Sequence, residues 1–80
     1  MKIQILFFGI GKDIVGRNLL EMEVPDGSSV LDLKNQLINK YPAFKDLKSL
    51  AIAVNNEYRL DGFTLSGNDE IAIIPPVCGG

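Results

Sequence analysis

One stretch limits the folds open to this chain more than any other. Val30, Leu33, Leu37 and Tyr41 recur at spacings of three and four, with Ile38 beside them, which makes an apolar stripe along one clear helix. The flanks punctuate it. Asp26-Gly27-Ser28-Ser29 turns the chain into the stripe, and either serine can accept the free N–H groups of the first helical turn, while Asp32 complements the positive end of the helix dipole. Pro42 disfavours helical geometry at Tyr41 and stops the helix there. A single helix can cover one face of one small sheet, so the remaining chain must supply strands with one inward face.

It does so with period two. Ile3, Ile5 and Phe7 alternate with Lys2, Gln4, Leu6 and Phe8, and Leu20, Met22 and Val24 alternate with Leu19, Glu21 and Glu23 before Pro25 ends the ladder. Between them lies GIGKDIVGRN, read as a loop holding one short helical turn at Lys12 to Val15, with Gly16 as its capping glycine. A third strand runs from Leu50 to Val54 and reaches Asn55-Asn56, residues that tolerate positive φ, so Glu57 to Leu60 returns as a short fourth strand. Ser66-Gly67-Asn68-Asp69 turns into a last strand, Glu70 to Ile74. The expected fold is α+β in two layers: a mixed sheet of four to five strands with one main helix packed on one face. Residues 1–74 form the domain and 75–80 an extended tail.

Composition enters as a filter on function. Eighty residues with 46% hydrophobic and 22% charged content describe one small globular unit that buries only about 60 to 65% of its unfolded surface, leaving little room for a deep catalytic cavity. With no histidine and one cysteine, the chain lacks the commonest general base, the usual zinc ligand sets and any intramolecular disulfide, so no metal site is expected. A formal charge of −2 argues against nucleic acid and favours a protein partner with a basic or apolar docking face. No stretch reaches the roughly 20 apolar residues that span a bilayer, and Cys78 stands third from the end, where a prenylation box needs it fourth. A cytoplasmic protein is expected.

The glycines of Gly9-Ile10-Gly11-Lys12 invite a phosphate-loop reading, but Gly16 is one residue too far for G-x-G-x-x-G, and Asp13 replaces the hydroxyl residue that follows lysine in the Walker pattern. Leu6, Phe8 and Ile74 fall on strand faces opposite the core. If the first and last strands are neighbours, these three make an exposed apolar patch suited to docking. The tail is more specific. Pro75-Pro76 favours extended polyproline geometry, and Gly79-Gly80 presents a terminal carboxylate without a Cβ on either side, slim enough to thread a narrow channel in another protein. Nothing in residues 71–80 would deprotonate the Cys78 thiol, so Cys78 reads as a small spacer like Val77.

These residues resemble the MoaD family, the small subunit of molybdopterin synthase and one of the ubiquitin-like β-grasp proteins. The resemblance covers the whole chain: the opening strand ending in Phe7-Phe8, the segment Asp13-Ile14-Val15-Gly16, the helix begun after a serine, Val54-Asn55, and the string DEIAIIPPVCGG at Asp69 to Gly80. Asn68 stands where the family commonly has glycine, an exchange that keeps positive φ accessible, and Cys78 stands where serine, threonine or alanine is more usual. The resemblance implies a sulfur carrier that is not itself the catalyst, the active-site residues being on the partner subunit. An activating enzyme of the MoeB type would use ATP to adenylate the Gly80 carboxylate, and a sulfur donor would convert it to a thiocarboxylate. Inserted into a large subunit of the MoaE type, that group would deliver sulfur to cyclic pyranopterin monophosphate, forming the dithiolene that binds molybdenum or tungsten. No cofactor would be bound by the carrier itself.

Two alternatives stay open at this level. One is a carrier resembling ThiS of the thiamin pathway, or a ubiquitin-related modifier that thiolates tRNA or conjugates to lysines. The other is a β-grasp interaction module whose tail does nothing.

Overall fold

The structure, a computed structural model, describes residues 1–46 and 50–74. The elements follow in the order β1 (Lys2–Phe7), α1 (Gly9–Val15), β2 (Leu19–Glu23), α2 (Val30–Lys40), a 3-10 turn at Pro42–Asp46, β3 (Ala51–Val54), β4 (Glu57–Arg59) and β5 (Glu70–Ile74). The five strands form one mixed sheet in the order β2-β1-β5-β3-β4. The first and last strands lie side by side in parallel at its centre, and the other pairs are antiparallel. The expected two-layer α+β architecture is therefore the observed one.

The core follows from the two periodicities. Ile3, Ile5 and Phe7 of β1, Leu20 and Met22 of β2, Ile52 and Val54 of β3, and Ile71 and Ile73 of β5 all turn to one face and are buried. Val30, Leu33 and Leu37 of α2 are buried over them. Two core members carry no periodic signal: Phe44 in the 3-10 turn, tilted against Phe7 at 6.0 Å between ring centroids, and Leu65 in the connection to β5.

The start of α2 shows why the helix begins where it does. Its first N–H groups have no partner within the helix and need one elsewhere. Val30 donates to the Phe63 carbonyl at 2.9 Å and Leu31 to that of Asp61 at 3.0 Å, while Asp32 donates to the Ser29 hydroxyl at 3.2 Å. Asp32 returns the bond by accepting from the Ser29 N–H at 2.9 Å, a reciprocal box that makes Ser29 the cap. Ser28 is buried instead, its hydroxyl donating to the Pro25 carbonyl.

Four local readings need correction. The first helix is longer than one turn at Lys12 to Val15: it begins at Gly9, whose φ of 55° bends the chain out of β1 into helix, and ends on Gly16 at φ 84°. β3 starts at Ala51 rather than Leu50. β4 stops at Arg59, because beyond it the chain turns and Phe63 N–H bonds the Leu60 carbonyl. Asn68 does not use positive φ; among the described residues the non-glycine positions that do are Asn55 and Asn56, at 54° and 70°, which turn the β3–β4 hairpin.

Candidate functional site

The face of the sheet away from α2 is built by the same alternation that fills the core. Register aligns outward residues across all five strands: Leu19 of β2 opposes Leu6 of β1, Leu6 neighbours Ala72 of β5, Ala72 opposes Ala53 of β3, and Ala53 opposes Tyr58 of β4. This row is apolar from edge to edge, with two alanines in the middle. One pair further back the row is polar: Glu21, Gln4 and Glu70.

The two alanines make the row concave. Leu6, Phe8, Ala53, Asn56, Tyr58, Glu70, Ala72 and Ile74 surround a hollow of about 370 Å³. Leu6, Phe8 and Ile74, singled out as a patch, are thus brought together. Phe7 pairs with Ile73, so the next residues, Phe8 just past β1 and Ile74 at the end of β5, follow side by side on adjacent strands. Phe8 is 51% and Tyr58 70% exposed, considerable apolar area for surface residues. Tyr58, Ala53 and Ala72 escaped the sequence reading. Alternation marks all three as outward, but that they share a row with Leu6 depends on the strand order.

A second hollow of about 500 Å³ adjoins the first across Leu6 and Glu70, lined by Lys2, Gln4, Leu19, Glu21 and Gly67 to Asp69. Its charge is mainly acidic. Lys2 approaches Glu21 at 3.8 Å, whereas the cations of Arg59 and Lys34 are engaged elsewhere: Arg59 with Glu57 at 2.5 Å and over the Phe63 ring, Lys34 with Asp61 at 2.6 Å.

The origin of β5 is fastened by side chains. Asn55 accepts from the Glu70 N–H at 3.0 Å through its side-chain oxygen, donates its amide to Asp69 at 2.9 Å, and gives its own N–H to the Glu70 carbonyl at 2.8 Å. Asp69 in turn accepts from the Ser66 N–H at 2.7 Å. Desolvation pushes the Asp69 carboxyl upward, but hydrogen bonds from the Ser66 backbone, the Asn55 amide and the Ser66 side chain outweigh it and hold the group below its ordinary value of 3.8. The strand that carries the tail is therefore tied at its start to the β3–β4 hairpin. Among the described residues, no group of three or more acidic, histidine or cysteine side chains could hold a metal ion. No helix among them is long and apolar enough to cross a membrane. The tail residues Pro75, Pro76, Val77, Cys78, Gly79 and Gly80 lie outside the described residues, directly after the Ile74 end of β5.

Comparison with known proteins adds the decisive observation: the model of the ThiS family matches residues 5–80, nearly the whole chain. The chain belongs to the ThiS family. Among relatives of this ThiS-family chain, the molybdopterin synthase sulfur carrier subunit of Chlamydomonas reinhardtii is 37% identical over the full length of both. Subunits 1 and 2 of the molybdopterin-converting factor from Helicobacter pylori have been solved as a complex that includes a chain superposing with TM-score 0.68 at 26% identity, over the whole of both chains. A Caldiarchaeum subterraneum ubiquitin superposes with TM-score 0.66 at 23% identity, over 100% of this chain and 98% of that one. Its likeness places the ThiS-family fold among the ubiquitin-like β-grasp proteins, as the resemblance to MoaD implied.

Proposed function

We propose that this chain is the sulfur carrier subunit of a molybdopterin synthase, with the Gly80 carboxylate as the group that carries sulfur. The observation that bears most weight is the 37% identity, over the full length of both chains, to a molybdopterin synthase sulfur carrier subunit. The sequence adds a Gly-Gly end, separated from the last residue of β5 by Pro75, Pro76, Val77 and Cys78. The chemistry is consistent with these ends. A carboxylate is a poor electrophile. Joining it to the α-phosphate of ATP, with loss of pyrophosphate, makes a mixed anhydride, and attack by sulfide released from the sulfur donor at the acyl carbon expels AMP and leaves a thiocarboxylate. ATP belongs to the activating enzyme, and the reactive thiocarboxylate then enters the large subunit to transfer sulfur to cyclic pyranopterin monophosphate.

The outer sheet face supports this reading as the docking surface. Leu6, Phe8 and Ile74 sit where β1 and β5 leave the sheet, so a partner held there lies beside the root of the tail. Six residues, if extended, reach at most about 20 Å beyond Ile74, enough to bring Gly80 to a site inside a partner docked on this face. Proline at positions 75 and 76 favours extended geometry over such a span, and Val77, Cys78 and Gly79 are the remaining residues before Gly80. A partner of the subunit 2 kind fits the H. pylori complex, and a cytoplasmic location fits partners that use ATP.

Intact-mass measurement after incubation with ATP, an activating enzyme and a sulfur donor tests the reading. The expected product gains the mass of one oxygen-to-sulfur exchange at Gly80, and a chain lacking Gly80 gains none in the sulfur-transfer assay. No exchange with any activating partner would refute the carrier function and leave an interaction module.

A further inference from the structure

The two hollows of the outer sheet face share a wall, and that sharing constrains what can dock there. The first is floored by Ala53 and Ala72, which oppose each other on β3 and β5, and walled by Leu6 and Phe8 on one side and Tyr58 on the other. Between flanking side chains of that size, two methyl groups leave room for a side chain from outside. Glu70 stands two residues before Ala72 on the same face, about 7 Å back along the strand. It lines both hollows, and with Glu21, the opposite neighbour of Gln4, it makes the second one acidic. Among the described residues no ion pair engages Glu70, and Glu21 meets only Lys2, at the long distance of 3.8 Å.

Resting on the carrier function above, we infer that the large-subunit partner seats one large apolar side chain over Ala53 and Ala72 and places a lysine or arginine against Glu70 and Glu21, so that the pair of contacts fixes the direction in which the tail points. The apolar row alone is nearly symmetric from edge to edge, with Leu19 and Leu6 at one end and Tyr58 at the other, and would hold a partner in more than one orientation. Charge breaks that symmetry. In the productive orientation the cation faces two carboxylates, and the apolar end of the face, with Phe8 and Ile74, lies toward the active-site channel. Turned by half a revolution, the partner would bury its cation against Phe8 and Ile74 and carry it away from Glu70 and Glu21, which would then no longer offset its desolvation. The same carboxylates would steer the encounter, because complementary charge at a rim acts chiefly on the association rate.

The test measures association and dissociation of the full chain with its large subunit at low and high ionic strength, and thiocarboxylate formation by intact mass in parallel. Ala72→Leu fills the floor and is expected to weaken binding at least about tenfold through faster dissociation, with the circular-dichroism spectrum retained. Glu70→Lys needs no repacking. It is expected to slow association about tenfold at low salt and to flatten the salt dependence, whereas Asp13→Lys, the same charge change on an exposed residue of α1, leaves both near wild type. Wild-type affinity for folded Ala72→Leu, equal effects of the two lysine variants, a salt-independent wild-type rate or no complex at all would each overturn the inference. Thiolation reports separately: an exchange at Gly80 with any of these results leaves the carrier function standing, and no exchange removes the carrier function itself.

Discussion

Truncating Phe8 to alanine separates docking from folding, and its size can be worked from the exposure of the ring. Phe8 is 51% exposed, so of the roughly 200 Å² a phenylalanine offers, about 100 Å² stays in water until a partner covers it. At about 25 cal/mol per Å² that area is worth at most ~2.5 kcal/mol. Side-chain ordering takes part of it and the alanine Cβ keeps a little contact, which leaves an expected loss of about 1 to 2 kcal/mol, or ~5- to 30-fold in Kd. The other half of the ring packs on the protein itself, so the fold loses a similar amount. A chain of 80 residues has a stability of roughly 4 to 12 kcal/mol, and the variant stays almost wholly folded at 25 °C, so unfolding changes the apparent Kd by only a few per cent. Titration calorimetry against the large subunit, with a thermal melt of each variant, measures both effects. Leu60→Ala supplies the control: Leu60 is 86% exposed, more than Phe8, but lies outside the hollow and should leave Kd unchanged. A Phe8→Ala Kd within twofold of wild type, or a Leu60→Ala loss as large as that of Phe8→Ala, would refute the assignment of the docking face.

Leu37→Ala, at a helix position with no exposure, should cost about 2 to 5 kcal/mol and lower the denaturation midpoint steeply, because it opens a cavity between α2 and the sheet; a midpoint shift near zero would contradict the packing. The Asp69 carboxyl sits below its ordinary value in the folded chain, so its contribution to stability is present above about pH 4 and is lost as pH falls through the lowered value; Asp69→Asn should remove that part of the acid dependence in pH-resolved melts, and an unchanged acid limb would rule it out. Cys78→Ala should still gain sulfur at Gly80 in the intact-mass assay, since the proposed function puts the sulfur on the carboxylate and not on the thiol; complete loss would assign the thiol a part in the transfer.

Much of the fold was legible because period and punctuation agreed. The stripe Val30 to Tyr41 between a serine and a proline located α2, and the span Glu70 to Ile74 was read without error, since turn residues precede it and Pro75 follows. Gly9 hid the start of α1, because its positive φ lets a residue that resembles a loop signal open a helix. Phe44 and Leu65 belong to the core with no neighbours at a regular spacing, since each reaches it from irregular chain. Leu6, Phe8 and Ile74 were recognisable as outward and apolar, whereas Tyr58, in a three-residue strand that is exposed throughout, carried no sign of the residues it would face.

By itself, the sequence determined the identity and order of the helix and strands, the inward faces that make the core, and a charge-free end finishing in Gly79-Gly80. These are local properties, written in the spacing of neighbouring residues and in what glycine and proline permit. Only the tertiary structure decided that the first and last strands pair in parallel at the centre of the sheet, because pairing joins residues some 66 positions apart, such as Gln4 and Glu70, through a register no local pattern records. From that pairing come the alanine-floored hollow beside the strand end that precedes the tail, and the acidic hollow that shares its wall toward the start of β5.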